Sequence, residues 1–188
     1  MNIDRFILKD SSPNTMELQF NSQIQQDKWI CQVLENLKNG TWVDIGCGAP
    51  IYINNTYVLE NQLGWKGISL DLDKSSTDQW REVGRDTKMV FNQDALTTDY
   101  KKLFEECNMP KVIDYLSLDL EPPQLTLQAL YKIPFDDYKF KCVTYETDVY
   151  RTLETVEPSR KLFAEKGYIL VQEMGSQDDF YIHPDCVN

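Results

Sequence analysis

Five stretches of this chain put carboxylates or glycines directly after short apolar runs, where chemistry could be done. The first reads Val43-Asp44-Ile45-Gly46-Cys47-Gly48-Ala49. Two glycines one residue apart let a backbone turn sharply and approach a ligand closely. The pattern is not a dinucleotide fingerprint, since the third glycine would fall at Ile51. Nor does a Gly-Lys-Ser/Thr follow to cradle a phosphate. The second stretch ends in Asp71, 25 positions after Gly46, near the offset at which an acidic side chain accepts hydrogen bonds from ribose hydroxyls. The third ends Asn92-Gln93-Asp94-Ala95, where a carboxylate could accept a proton from an adenine amine. Standing alone, that Asp94 would read as a helix N-cap. Together Asp44, Asp71 and Asp94 imply a guest with a ribose and no phosphate requirement. Adenosine carrying a cationic sulfonium and ammonium, as in S-adenosylmethionine, suits such an acidic pocket.

The fourth and fifth stretches are Leu118-Asp119-Leu120-Glu121-Pro122-Pro123 and Tyr145-Glu146-Thr147-Asp148. A carboxylate there could take the proton of a substrate hydroxyl, with Asp119 or Glu146 as the candidate base. The same four groups, Asp119, Glu121, Glu146 and Asp148, could instead hold a divalent cation such as Mg2+ through oxygen ligands. Solvated loop ends and helix caps are the plainer alternative. The only histidine, His183, is a further candidate base if the C-terminal segment folds back over the acceptor pocket, because its ordinary pKa is ~6.5. A packing residue beside Pro184 is the plainer reading.

These groups need elements that carry them to one place. Ile30, Val33, Leu34 and Leu37 recur at helical spacing, so a helix is expected from about Gln25 to Lys38, stopped by Asn39-Gly40. Apolar runs at Thr41–Ile45, Ile68–Leu70, Lys88–Phe91, Val112–Leu118 and Phe140–Tyr145 read as buried strands. Helical patterns near Thr56–Leu63, Tyr100–Cys107, Leu125–Tyr131 and Pro158–Gly167 alternate with them, and Tyr168–Val171 with Phe180–Ile182 reads as a closing hairpin. Alternation of this kind means crossover units, a mostly parallel sheet and helices on both faces. Ligands then sit beyond the carboxyl ends of the strands, where the strand order reverses.

Size and charge narrow the classes. The chain has 188 residues, 19 Lys plus Arg against 30 Asp plus Glu, and a formal charge of -11. One domain spanning 1–188 is expected, with residues 1–21 irregular. The acidic balance argues against a nucleic-acid partner, because binding phosphates depends on Lys and Arg. Five scattered cysteines without a CxxC pair argue against a disulfide framework or a zinc site. With no apolar run of membrane length and no signal-like N-terminus, a cytoplasmic setting is expected.

From Ser22 to Val187 the chain resembles the FkbM-like group of class I S-adenosylmethionine-dependent methyltransferases. The resemblance rests on Ser22-Gln23-Ile24-Gln25-Gln26-Asp27-Lys28-Trp29, Val43–Gly46, Asn55–Glu60, Gly64–Ile68, Asp114–Asp119 and Tyr145–Arg151. It implies a Rossmann-like α/β fold with a seven-stranded, mostly parallel sheet and a C-terminal antiparallel hairpin. It also implies methyl transfer to a hydroxyl of a small molecule or sugar. Gly46 would hold the methionyl part of the cofactor, Asp71 the ribose and Asp94 the adenine. Asp44, Cys47, Gly48, Asn55, Thr56, Ala95 and Asp119 would belong to the same cofactor site. Two departures stand out: Glu121-Pro122-Pro123 where many members have Glu-Gly, and Thr147 where a histidine is common. An amine acceptor, or a cofactor-binding protein without catalysis, are the alternative readings.

Overall fold

The computed structural model describes residues 1–9, 18–85 and 89–187. Its sheet contains β1 (Thr41–Ile45), β2 (Lys66–Asp71), β3 (Val90–Asn92), β4 (Val112–Leu118), β5 (Lys139–Glu146), β6 (Ile169–Met174) and β7 (Asp178–Ile182) in the order β3-β2-β1-β4-β5-β7-β6. Strands β1 to β5 pair in parallel, whereas β7 is antiparallel to both β5 and β6. The expected architecture is therefore the observed one, hairpin included. Part of the expected third strand, Lys88, lies outside the described residues.

Alternating strand residues feed two cores. Val43, Ile45, Leu116, Leu118, Val143 and Tyr145 join one apolar cluster with Tyr100 and Phe104 of α4 (Tyr100–Glu106), Leu130 of α5 (Pro123–Leu130) and Phe163 of α6 (Val156–Glu165). Trp42, Tyr115, Cys142, Phe180 and Ile182 join the other, with Trp29 and Ile30 of α1 (Gln26–Val33) and Val58 and Leu59 of α2 (Tyr57–Leu63). A sheet buried on both faces explains why its strands read as near-continuous apolar runs.

Two elements differ from expectation. Helix α1 ends at Val33, well before Lys38, and Glu35, Asn36 and Asn39 take left-handed φ values of 50°, 54° and 55°. The apolar spacing continues through Leu37 because that segment still packs on the core, without helical backbone. Helix α3 (Lys74–Glu82) was not expected at all, since only Thr77 and Trp80 of it are buried. Its local signal is a cap: the Asp73 side chain accepts the Ser75 N–H at 2.8 Å.

Near the N-terminus, a 3-10 turn at Ile3–Phe6 docks through buried Phe6, whose carbonyl accepts the Trp29 indole N–H at 2.6 Å. Among the described residues no helix is long and apolar enough to cross a membrane.

Candidate functional site

Register turns the strand ends into rows. Ser69, Asp44, Ser117 and Thr144 are neighbours across β2, β1, β4 and β5, so their side chains share one face. Each finds a buried partner. The Trp42 indole N–H donates to Ser69 Oγ at 3.0 Å, and the Asn55 amide donates to Ser117 Oγ at 3.1 Å. Thr56 Oγ1 donates to Asp44 Oδ2 at 3.4 Å, and the Tyr115 and Thr144 hydroxyls lie 2.7 Å apart. This polar platform is satisfied, as buried polar groups must be. Burial pushes the Asp44 carboxyl up to about 7, against the hydrogen bond to Ser117 and the charge of Arg85.

Two residues further along the same face come Asp71, Gly46, Asp119 and Glu146, and Asp178 of β7 stands opposite Glu146. The gap in this row of carboxylates is the glycine. Gly46 has φ +84°, and a Cβ there would lie 1.8 Å from the Asp119 carbonyl oxygen. Its N–H and that of Cys47 both donate to the Leu70 carbonyl, at 2.9 and 3.1 Å, while Asp119 N–H donates to Ile45 O at 3.0 Å. The chain thus passes from β1 into a bare turn, at the point where the strand order reverses between β2 and β4.

A cleft of about 640 Å³ opens at this turn, lined by Gly46, Asp71, Leu72, Asp94, Ala95, Leu96, Asp119, Leu120 and Leu125 among others. That size falls within the usual range for small-molecule sites. Asp71 is set by two backbone donors, Gly48 N–H at 2.9 Å and Asp73 N–H at 2.7 Å. Asp94 Oδ1 accepts Leu96 N–H at 2.8 Å, so the cap-like role is real for one oxygen, while the residue still faces the cleft.

The loop between the bare turn and α2 is held from behind by Arg85. Its guanidinium is buried, paired with Glu60 at 2.6 Å, bonded to Pro50 O at 2.7 Å, Asn54 Oδ1 at 2.8 Å and Thr56 Oγ1 at 3.0 Å, and laid 3.8 Å over the Trp80 ring. Removing one partner of such a network leaves the other charge and several acceptors stranded. Arg85→Ala should therefore cost about 3 kcal/mol of stability, read in a denaturant melt. A loss within 0.5 kcal/mol would show that the network is ornamental.

At the far end of the row the carboxyls crowd. Burial raises the Asp119 carboxyl and pushes Glu146 up to about 10; the contact between them lowers Asp119 and raises Glu146 further, so the pair holds one proton, on Glu146. Oxygens of Glu121, Glu146 and Asp148 come within 4.8 Å of one another; Asp119 is not part of that trio. The Arg151 guanidinium already spans two of the three, 2.6 Å from Glu121 and 3.3 Å from Asp148.

Several expected residues are not brought to the cleft. His183 is placed at the opposite end of the sheet: β7 runs antiparallel, so Ile182 pairs with Cys142 while Asp178 pairs with Glu146. There the His183 N–H donates to Lys141 O and its ring packs edge-on against Tyr168 at 5.0 Å. Burial, with the charge of Lys139, lowers its pKa. It is a packing residue, remote from Asp119 and Glu146. The Cys47 side chain packs with Trp80 and Val90 behind the turn, and burial pushes its thiol well up. Asn55 and Thr56 sit in the platform beneath the cleft. Gln26, Leu72, Arg85 and Asp178 were missed. Only Leu72 carried a local signal, adjacency to Asp71; the others act across long sequence separations.

No family model and no curated protein matches the chain. Solved structures do share its fold. An S-adenosylmethionine-dependent methyltransferase from Aquifex aeolicus aligns with TM-score 0.53 at 14% identity, covering 92% of this chain and 94% of that one. The human methyltransferase 10 domain containing protein gives 0.52 at 13% identity, covering 95% and 89%. The fibrillarin pre-rRNA processing protein of Methanococcus jannaschii gives 0.53 at 9% identity, covering 94% and 86%. At these identities the likeness is one of fold: a Rossmann-like sheet with a terminal antiparallel hairpin, as in methyltransferases.

Proposed function

We propose that this chain is an S-adenosylmethionine-dependent methyltransferase, FkbM-like and a single domain over residues 1–188, which methylates a hydroxyl of a small molecule or sugar in the cytoplasm. The observation that carries this reading is that Asp71, Gly46 and Asp119 line one cleft at the reversal of strand order, with Glu146 next to Asp119 in the same row.

The cleft fits the cofactor on three counts. Its volume of about 640 Å³ is adequate. Gly46 lines it with bare backbone, and a Cβ there would strike the Asp119 carbonyl that forms its wall. The charge set at its rim is acidic, which suits a sulfonium and an ammonium. Asp71 would accept the ribose hydroxyls, and the free oxygen of Asp94 the adenine amine. Ala95, with Leu72, Leu96, Leu120 and Leu125, would wall the base. Asp44, Gly48, Asn55 and Thr56 act from behind by holding the turn, as does Cys47 through its backbone N–H. When bound, the cofactor supplies an electrophilic methyl group.

The chain's own task is then to position the acceptor, exclude water and take one proton. The Asp119–Glu146 pair is suited to the last. Holding a single proton between two carboxyls, it has one oxygen set able to receive another from the acceptor hydroxyl. A resident divalent ion does not fit the carboxylates as they stand. Arg151 occupies Glu121 and Asp148, and Glu146 keeps its proton, so no step is routed through a metal.

A small acceptor rather than a nucleic acid is supported by charge. The nearby cations Arg151 and Arg160 are spent on Glu121, Asp148, Asp179 and Glu173, leaving neither for phosphates. Titration calorimetry with S-adenosylhomocysteine tests the reading: saturable binding is expected, and none would overturn it. Asp71→Ala should weaken that binding by about 10- to 100-fold, the worth of a charged hydrogen bond. An unchanged affinity would remove Asp71 from the ribose.

A further inference from the structure

The Ser22–Asp27 segment, carried so far only by resemblance, has a physical task. Asp27 is wholly buried, and its carboxylate accepts hydrogen bonds from Ser22 Oγ and from the backbone N–H groups of Asn21, Ser22 and Lys28, the last three at 2.7, 3.1 and 2.8 Å. Four donors on one carboxylate lock the turn that enters α1, and Gln25 takes a left-handed φ of 68° to make it. The first helical residue, Gln26, is thereby fixed and buried. Its Oε1 accepts Ile24 N–H at 2.9 Å, so its Nε2 is the end left to point onward, and it donates to Asp178 Oδ2 at 3.2 Å. An amide whose carbonyl is already engaged by backbone has no freedom to flip.

Asp178 itself is 7% exposed and directly opposite Glu146 in the antiparallel pair, so both side chains leave the same face. Asp119 and Asp148 are its charged neighbours there. Adjacent Asp179 is taken by Arg160 and the Tyr181 hydroxyl. Among the described residues the Gln26 amide is the hydrogen-bond donor to the Asp178 carboxyl, and it meets one of the two oxygens. Beside it, Glu146 Oε2 and Asp148 Oδ2 are buried without a hydrogen bond, although Arg151 Nε lies 3.3 Å from the latter. This end of the row offers acceptors and lacks donors, and buried acceptors left unmet are costly.

We propose that Asp178, oriented by Gln26, recognises the methyl acceptor by taking a hydrogen bond from an O–H or N–H next to the atom that is methylated. Gln26 is the positioning residue and Asp27 holds it in place. The inference rests on the methyltransferase reading and narrows its substrate class. The acceptor must bring hydrogen-bond donors and no negative charge, as a polyol or an ammonium-bearing alcohol does.

The test, run at pH 9 where the Asp178 carboxyl is ionised, uses the full chain saturated with S-adenosylhomocysteine and follows the Gln26 side-chain amide by NMR. The probes are ethanolamine, glycerol and glycolate. Ethanolamine or glycerol should shift the signal saturably, the tighter of the two telling an ammonium preference from a polyol one, while glycolate should not. Asp178→Asn, nearly isosteric, should lose at least tenfold in probe affinity and bind S-adenosylhomocysteine within twofold of the parent. Gln26→Leu, followed on the Glu146 and Asp148 backbone signals, should lose the discrimination against glycolate, which a merely structural residue would not control. Saturation by neither donor probe, glycolate binding as tightly as they do, or an unaltered Asp178→Asn would overturn the proposal. Absence of S-adenosylhomocysteine binding to the parent chain would instead overturn the methyltransferase reading, and the probe titration can still be read on the protein alone.

Discussion

Gly46→Ala should abolish S-adenosylhomocysteine binding and lower the melting temperature by roughly 10 °C. The added Cβ would lie 1.8 Å from the Asp119 carbonyl oxygen and 2.9 Å from its carbon. Those are backbone atoms, so no side chain can swing away to relieve the clash. Either β1 and β4 part at their carboxyl ends, breaking the Asp119 N–H to Ile45 O bond, or the turn abandons φ +84°. The left-handed backbone alone costs an alanine about 1–2 kcal/mol, and overpacking adds about 1–3 kcal/mol. At ~2–4 °C per kcal/mol for a chain of this size, the sum gives the stated drop. Gly48 is the control. It too has a positive φ, +52°, but a Cβ there meets nothing within 4 Å, so Gly48→Ala should pay only the backbone cost. Calorimetry and a thermal melt of both variants check this. Wild-type affinity in Gly46→Ala would mean that the turn does not cradle the cofactor.

Raising the pH from 6 to 9 should destabilise the protein by roughly 2–4 kcal/mol, opposite to the usual behaviour of paired carboxylates. Burial holds Asp44 at about 7, and burial with the charge of Asp119 holds Asp178 at about 8, both from an ordinary 3.8. A raised carboxyl pKa means that the folded state keeps a proton the unfolded state has lost. From these two groups stability falls with rising pH between about 4 and 8, and Glu146, held at about 10, carries the fall further. Within the 6-to-9 window Asp44 contributes about one pH unit and Asp178 about two, at ~1.4 kcal/mol each. That ~4 kcal/mol is an upper figure for these two groups, since neighbouring carboxyls share the relaxation, and Glu146 acts in the same direction. The melting temperature should drop by roughly 5–10 °C across the window, and Asp178→Asn should flatten the curve and melt higher than the parent at pH 9. A parent chain equally stable at both pH values would show that these carboxyls are better solvated than their burial implies.

That instability has a functional counterpart. A row of carboxyls crowded at one sheet edge is costly in the free protein and is relieved by any cation that settles among them. On the proposed reading, the same placement that lifts Asp119, Glu146 and Asp178 would suit a cationic cofactor and a donor-rich acceptor. Net charge alone, -11 over the chain, could not say this, because most acidic residues lie on solvated surface.

Much of the fold is legible because its signals are local. Strand runs, the glycine turn and the alternation with helices each depend on residues within one short window, and a period of two along a strand places Asp119 two beyond Ser117 and Glu146 two beyond Thr144 on one face. Helix α3 escaped because it buries only two side chains, too little for periodicity to register. Arg85 escaped because its partners, Pro50 to Glu60, lie 25 to 35 positions away.

By itself the sequence determined which residues stand near the carboxyl ends of the parallel strands, with Asp44, Asp71 and Asp94 as one set and Asp119, Glu121, Glu146 and Asp148 as another; the register then set Asp71, Gly46, Asp119 and Glu146 in one row. Only the tertiary structure decided the fate of the last strand. Because β7 runs antiparallel to β5, its first residue, Asp178, arrives beside Glu146, while His183, just beyond its other end, is carried to the far edge of the sheet. Hydrophobic patterning reports which face a side chain takes and is blind to strand direction, which is set by long-range pairing. The histidine, a candidate base whose plainer reading was packing, therefore packs at the far end, and Asp178, with no local signal, stands beside Glu146.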